Sequence, residues 1–452
     1  MHEQYGQDQH PLRDAGRARC LPRALTSEAG AFAGRTARLQ GWVHRIRRIG
    51  VVTFVLLRDR SGLIQLVVDA AGPAAATAAV AGLNVEDVIE VTGIVNADAR
   101  AKGGYEVLVE TIVVLSAAAA LPFEVNLPQL KVGQDLALDH RVLSLRHPRS
   151  QAIFRLKAAI IKAFRDFSGA EGFIEVQTPK IVATATEGGA NLFPVDYLGR
   201  RAYLAQSPQL YKQMLVLSGF ERVYEVGPVY RAEPHNTSRH VNEFTSLDWE
   251  IGFIDSAAEV MALEETMLRQ LVARLSTEHA ADLAAIGVEL AARLPERPIP
   301  RLTLGEAHAL LQRRRAKELP PGDLDPEGER LLCELVAGPV FVTAWPAKVR
   351  PAYAQPCEDA PHLTDSFDLL LGGMEVTTGG RRISDHAALR ASLESRGLDP
   401  GAFDFYLDAF RYGAPPHGGL AIGAERLTVA LLGLSNLREA TFFPRDLDRL
   451  TP

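Results

Sequence analysis

The chain has 452 residues, 47% hydrophobic and 23% charged, which is the composition of a globular protein long enough for two or three domains. Its net charge of −6 excludes a uniformly basic nucleic-acid binder, so any such contact must come from a local patch. No apolar run reaches membrane-spanning length, no signal-peptide pattern is present, and the three cysteines (Cys20, Cys333 and Cys357) have neither zinc nor disulfide spacing, so the expected setting is a reducing cytoplasm without a membrane partner.

In chain order, residues 1–34 are polar and poorly periodic, and a flexible N-terminal extension is expected. Residues 35–115 change character. Arg35, Arg38, Arg45, Arg47, Arg48, Arg58 and Arg60 fall within one short stretch opposed only by Asp59. Alternation predicts strands over Ala37–Val43, Val51–Leu57, Leu63–Val68, Val88–Val95 and Tyr105–Leu115. Five short strands suggest a small closed barrel of the oligonucleotide-binding (OB) kind. Such barrels take single-stranded bases on aromatic platforms and amide edges with basic flanks, and Phe54, Gln65, Arg45 and Arg47 have those chemistries. The bland alternative is that Phe54 is a core residue of an alternating strand. Residues 116–150, with Pro122, Pro128 and Pro148, read as a linker or hinge.

The body is expected over 151–452. Ile153, Leu156, Ile160, Phe164 and Phe167 recur at helical spacing, so Gln151–Ser168 is predicted as an amphipathic helix ended by Gly172, with a short strand at Phe173–Gln177. Tyr230-Arg231-Ala232-Glu233 opens a loop with His235, Arg239 and His240 that closes on Glu243-Phe244. A region over 256–345, helical at Ala257–Leu275 and broken by prolines, reads as a small insertion. Last comes Gly413–Leu427, GAPPHGGLAIGAERL: glycines that leave the backbone bare for a flat ligand, then Arg426 at a helix start, where anions are favoured and a planar guanidinium grips phosphate. A Gly-rich turn before a core helix is the alternative.

Three of these stretches resemble the three signatures of class II aminoacyl-tRNA synthetases, in their order: the long helix, strand and Thr178-Pro179; the Tyr230–Glu233 run with its loop; and Gly418–Leu427. The resemblance implies an α+β fold, an N-terminal OB-fold barrel followed by a six- or seven-stranded antiparallel sheet flanked by helices, and explains why no P-loop or GxGxxG occurs. Thr186–Gly189, Gln206–Lys212, Arg231–Glu243 and Phe442–Pro452 are similar to the compact, archaeal type of the aspartyl-tRNA synthetase family, over about Arg35 to Pro452.

That resemblance implies L-aspartate, ATP and tRNA as substrates, Mg2+ with the ATP, and a homodimer formed through 151–179. Arg231 is expected on the α-phosphate and the amino-acid carboxylate, Glu233 on the adenine amino group and Phe244 on the adenine face. Arg239 and His240 are expected near the outer phosphates, Val241 in the ATP site, and Arg426 on the γ-phosphate beside the cradle Gly423, Ala424 and Glu425. Glu375 is the expected metal carboxylate; Thr378 stands where the family has Ser. Arg382 and Lys212 are the expected readers of the aspartate side chain, with Glu187, Gln209 and Asp248 around its ammonium group.

The implied anticodon set is His44, Arg45, Arg47, Phe54, Gln65 and Lys102. His44 stands where relaxed members of the family have His and strict archaeal ones Trp. Lys102 fits the strict form. Weighting His44 gives the expectation of an enzyme that charges tRNA(Asp) and tRNA(Asn), the latter product passing to an amidotransferase. A strict aspartyl enzyme, an asparaginyl enzyme, a tRNA-independent asparagine-forming synthetase and a pure binding module are the alternatives.

Overall fold

Alternate residues of Thr36–Ile49, Val52–Asp59 and Gly62–Asp69 are buried, so each strand turns one apolar row inward. The computed structural model describes residues 21–101, 103–184, 191–314 and 319–452, and the chain divides into two units, Met1–Val132 and Gly133–Pro452. In the first unit those three strands, Val88–Ala97 and Tyr105–Ser116 form a barrel. Thr36–Ile49 pairs with both Val52–Asp59 and Val88–Ala97, which closes the ring. Leu39, Val55, Leu57, Leu66, Val91 and Val107 fill it. The helix Ala74–Ala81, too uniformly small for its periodicity to show in the sequence, contributes Ala76 and Val80 to the same core.

The barrel begins earlier than expected. Arg23–Ala24 pairs in parallel with Thr36–Ile49, and the 3-10 turn Thr26–Phe32 buries Ala29, so part of the expected extension belongs to the barrel. The second half of the expected linker likewise belongs to the second unit. Arg141 there is buried and donates to the carbonyls of Arg438, Thr441 and Phe442.

The second unit is built on an eight-stranded sheet. Its six central strands, Val340–Thr343, Ser366–Leu371, Met374–Arg382, His417–Gly423, Glu243–Gly252 and Arg222–Tyr230, are antiparallel; a parallel strand borders each side, Arg301–Thr303 and Ile174–Glu175. The expected count of six or seven fell short because Arg301–Thr303 and Val340–Thr343 lie in the region read as an insertion. They extend the main sheet, and the helix Ala257–Glu278 packs into the main core.

The helix Pro148–Ala170 starts with Pro148 at its first position, where the missing N–H is no loss, and is capped by the His147 side chain, which accepts from the Arg149 N–H. Its apolar stripe of Ile153, Leu156, Ile160, Phe164 and Phe167 is fully buried, each side chain contributing about 1.5–3 kcal/mol of transfer free energy. The stripe meets Trp249 of the central strand. Phe164 stacks on that indole at 5.1 Å, Phe167 and Phe173 flank it, and the indole N–H donates to Ser168 Oγ at 2.8 Å. Among the described residues no helix is long and apolar enough to cross a membrane.

Candidate active site

The central strands leave a cavity of about 550 Å³ in the second unit. Of the residues expected in a site, Gln209, Arg231, Glu233, Arg239, His240, Val241, Phe244, Asp248, Glu375, Thr378, Arg382, Gly423, Glu425 and Arg426 line it. They come from stretches far apart in sequence, brought together by the pairing of Met374–Arg382 and Glu243–Gly252 with His417–Gly423. Glu187 and Lys102 lie outside the described residues.

The register separates two kinds of chemistry. Arg382 pairs with His417, and Thr377 with Ile422, one residue before Gly423 and the helix that carries Arg426. Arg382 and Glu375 therefore sit towards opposite ends of one strand, about 20 Å apart along the backbone.

At the Arg382 end the groups are buried and mutually fixed. Arg382 Nε donates to Glu250 Oε1 at 3.0 Å and Nη2 to Gln209 Oε1 at 3.3 Å, with the guanidinium 5.3 Å from the Tyr353 ring centre. Burial opposes the charge on Glu250, but Arg382 and Lys212 outweigh it and hold its pKa below the ordinary value. Lys212 is 1% exposed and does not line the cavity. Its ammonium group donates to Asp248 Oδ1 at 2.9 Å and to the carbonyls of Trp249 and Leu420, and lies 3.3 Å from Glu250 Oε2. The ammonium group expected to read the aspartate side chain is thus held beside Asp248, whose other oxygen accepts from Ser246.

At the other end Arg426 Nη1 donates to the Glu375 carbonyl at 3.0 Å, with the Glu375 carboxylate at 3.5 Å. Arg231 sits at the mouth of its loop, its N–H bonded to the Asn242 carbonyl at 2.9 Å and its guanidinium 5.5 Å from the Phe244 ring centre. Asn242 Nδ2 donates back to the carbonyls of Arg231 and Glu233, so one amide holds the two ends of the loop together. His240 has its pKa lowered by burial and by Arg426, which keeps the ring neutral, and its Nδ1 lies 2.6 Å from Thr237 Oγ1. Arg239 is held by Glu329 at 2.6 Å and by the Gly373 carbonyl, a contact from the region read as an insertion that the sequence did not reveal. Burial and the nearby Glu375 push Glu329 up to about 7.

Three expectations for the Gly-rich stretch change. A side chain at Gly418 would meet the Gly380 carbonyl at 2.6 Å, and one at Gly419 the Trp249 carbonyl at 2.1 Å. Their bareness lets neighbouring strands approach and is not ligand space; Gly423, with room beside Arg426, is the one that lines the cavity. The Ala424 side chain lies in the main core, so only its backbone is available. The Glu425 carboxylate accepts from Lys157 at 2.7 Å and from the Thr245 N–H at 3.0 Å, tying the long helix and the central strand to this helix start.

The donor set for a metal is hard oxygen. Thr378 Oγ1 lies 3.2 Å from Glu375 Oε1, and Asp368 pairs with Thr378 on the neighbouring strand. Asp368 Oδ1 is buried with no hydrogen-bond partner, and burial raises its pKa to about 6 against the pull of Arg350 at 2.8 Å. An unpartnered buried carboxylate oxygen beside Glu375 and a hydroxyl fits a divalent cation that takes few protein ligands and completes its shell with phosphate and water. Among the described residues no three His, Cys, Asp or Glu side chains form a complete cage. Asp368 was overlooked in the sequence; an Asp inside the otherwise apolar run Phe367–Leu371 was the available signal.

The family model for tRNA synthetases class II (D, K and N) matches residues 133–447. The chain belongs to the class II tRNA synthetases. A second model, for OB-fold nucleic-acid-binding domains, matches residues 37–115. This synthetase is 44% identical to the aspartate–tRNA(Asp/Asn) ligase of Archaeoglobus fulgidus over 93% of the chain and 97% of that relative. To the aspartate–tRNA(Asp) ligase of Pyrococcus abyssi it is 42% identical, over 93% and 97%. Its structure matches that of asparaginyl-tRNA synthetase from Pyrococcus horikoshii in complex with asparaginyl-adenylate, with a TM-score of 0.91 and 33% identity over 96% of this chain and 100% of that one.

In the synthetase's barrel, Phe54 is half-buried on the outer face and outside the core cluster, opposite Arg47, and Arg45 is opposite Leu56. Gln65 is on the next strand, pairing with Leu56, and donates to Glu106 at 2.9 Å. The core reading of Phe54 is thereby set aside. His44, in contrast, is buried.

Proposed function

We propose that this synthetase is an aspartate–tRNA ligase that charges tRNA(Asp) and also tRNA(Asn). The observation that carries the aspartate assignment is the buried Arg382 lining the cavity, fixed by Glu250 and Gln209. A guanidinium offers only donors. A carboxylate accepts them, whereas the NH2 of asparagine would set donor against donor in a desolvated site.

In the first step an oxygen of the aspartate α-carboxylate attacks the α-phosphorus of ATP in line, forming aspartyl-adenylate and releasing pyrophosphate. Arg231 neutralises charge where it grows and orients the α-carboxylate; Asp248 and Gln209 face the ammonium group; Phe244 stacks on adenine and Glu233 takes its amino group. Arg426, with Arg239 and His240, holds the outer phosphates. In the second step a terminal ribose hydroxyl of tRNA attacks the activated carbonyl and AMP leaves. Glu375, Thr378 and Asp368 would hold magnesium with the ATP, and the ion would supply further charge neutralisation on the phosphates. Positioning and preorganised charge provide the rate.

The relatives supply support for both tRNA readings, and His44 favours the relaxed one. Asp-tRNA(Asn) then requires a partner amidotransferase. The sheet edge at Ile174–Glu175, with Ile174 exposed, supports a homodimer through 151–179, and the cytoplasm is the setting of these substrates. The test is ATP–pyrophosphate exchange without tRNA, followed by charging of each purified tRNA. Aspartate is expected to support exchange and asparagine is not; better exchange with asparagine would reverse the assignment.

Phe54→Ala is expected to lower charging of both tRNAs by about 1–3 kcal/mol, the contribution of one stacked base, and to leave the tRNA-free exchange rate as it is. An equal loss in exchange would make Phe54 a folding residue.

A further inference from the structure

The region read as an insertion brings one carboxylate to the ATP end of the cavity. Asp325 caps the helix Pro326–Val336, accepting from the Gly328 N–H at 2.8 Å, and Pro326 takes the first position. Leu332 and Cys333 of this helix are buried in one cluster with Leu370 of the strand Ser366–Leu371. Glu329 lies one turn before Cys333 and shares its face, so the carboxylate is turned towards the sheet, with its side chain 14% exposed.

The same helix meets the turn that leads to Glu375. Leu371 pairs with Met374, so Gly372 and Gly373 make the whole turn, and their φ values of +61° and +81° suit a two-residue hairpin. A side chain at Gly373 would come 3.2 Å from the Arg330 Cα, so its bareness lets turn and helix approach. Arg239 reaches into the corner between them. Its Nη1 donates to Glu329 Oε2 at 2.6 Å and its Nη2 to the Gly373 carbonyl, while its backbone N–H is bonded to Thr237 Oγ1. In this posture Arg239 lines the cavity, and Glu375 and Arg426 both lie close enough to act on the Glu329 charge. Two guanidinium N–H groups are used in the clamp; the other three have no acceptor among the described residues and are left for phosphate oxygens.

We propose that Glu329 is a positioning residue for ATP, fixing the Arg239 guanidinium where the outer phosphates bind. The inference rests on the reading of Arg239 as a phosphate-holding group. A loop arginine without partners loses the freedom of a long side chain when the nucleotide arrives, and that loss is subtracted from affinity. Glu329 and the Gly373 carbonyl have removed the freedom beforehand, and of the two only Glu329 is a side chain that substitution can delete.

ATP–pyrophosphate exchange by the full-length protein tests this. Glu329 has no other side-chain partner among the described residues and alanine suits a helix, so Glu329→Ala is expected to fold. It is expected to raise the KM for ATP and for pyrophosphate about fivefold, the scale of one hydrogen bond, with the KM for aspartate unchanged. AMP, which lacks the outer phosphates, is expected to inhibit with an unchanged Ki. Glu329→Gln keeps an acceptor at the same reach and is expected to hold every constant within about twofold of the wild type. In Arg239→Ala protein, adding Glu329→Ala is expected to change nothing more, because its effect runs through that guanidinium. A lower KM for ATP in Glu329→Ala would mean that the carboxylate parks Arg239 away from the phosphates. An equal rise in the KM for aspartate or the Ki of AMP, or the same rise with Ala at 239, would mean a general disturbance of the cavity. The same rise in Glu329→Gln would mean that charge and not posture matters. Each of these overturns the inference. Unmoved constants in Glu329→Ala, while Arg239→Ala does raise them, overturn the clamp and leave the reading of Arg239 standing. Constants that Arg239→Ala itself leaves unmoved remove that reading, and the clamp with it.

Discussion

Arg231→Ala and Arg426→Ala are each expected to raise the barrier to aspartate-dependent exchange by about 2–4 kcal/mol, roughly thirty- to a thousandfold in rate, the order found when a group stabilising transition-state charge is removed. The Arg426 guanidinium is held in advance by the Glu375 carbonyl and carboxylate, while Arg231 has its backbone fixed by Asn242, which ties the ends of the loop together, and its guanidinium near the Phe244 ring. That fixation limits the reorganisation needed as charge shifts towards the departing pyrophosphate. Both side chains reach the open cavity and neither sits in the core, so the variants are expected to fold and their loss to appear in rate. Arg426→Lys retains the charge without the planar fork and is expected to recover only part of the rate. Exchange within threefold of the wild type in either alanine variant would place the ATP phosphates elsewhere in the cavity.

The cavity was legible in the sequence where one local pattern carries one function. Tyr230–Glu233 with its loop and Gly423–Arg426 are contiguous, and the family match over 133–447 agrees with the reading made from them. What was not legible is set by pairing between distant strands. Asp368 reaches Glu375 and Thr378 only because Ser366–Leu371 runs beside Met374–Arg382, and no spacing announces that register. Lys212 was read as facing substrate because its string is specific, yet a string cannot show that four oxygens already surround its ammonium group. The glycines at 418 and 419 look alike in sequence whether a ligand or a neighbouring backbone crowds them; only the carbonyl of Trp249 or Gly380 at the missing Cβ decides it. In the barrel, alternation gave all five strands, but the bulge at His44 breaks the period and turns an apparently surface-facing row into a buried polar group.

Arg382→Met is expected to have the largest effect on aspartate itself. The methionine is of similar reach and apolar, so the cavity wall stays filled while the carboxylate reader is lost. Glu250, completely buried, would then keep Lys212 and Gln209 as partners and lose the nearest guanidinium. Leaving a buried charge short of its partner costs about 3–5 kcal/mol, so a lower melting temperature is expected with the loss of activity. For exchange, the fall in kcat/KM for aspartate is expected to be at least about 3 kcal/mol, more than a hundredfold, with the KM for ATP little changed, since Arg382 lies at the other end of the strand from Glu375 and Arg426. The pH dependence separates recognition from folding. In the wild type the Glu250 pKa is held below its ordinary value of 4.5, so its contribution to stability is present above that value and is lost as pH falls. With Arg382 gone, burial loses its largest opposing charge, only Lys212, His417 and the Gln209 amide remain against it, and the folded-state pKa is expected to rise above the unfolded one. The folded protein then holds a proton that the unfolded chain releases, so the variant is expected to lose stability as pH increases past 4.5, the reverse of the wild-type trend for this group. Thermal melts of both proteins at pH 5 and pH 8, compared as differences, measure this directly. Arg382→Met protein that activates aspartate within tenfold of the wild type would show that the side-chain carboxylate is read by another group, and an identical pH trend in the two proteins would show that Lys212, His417 and Gln209 together suffice to keep Glu250 charged.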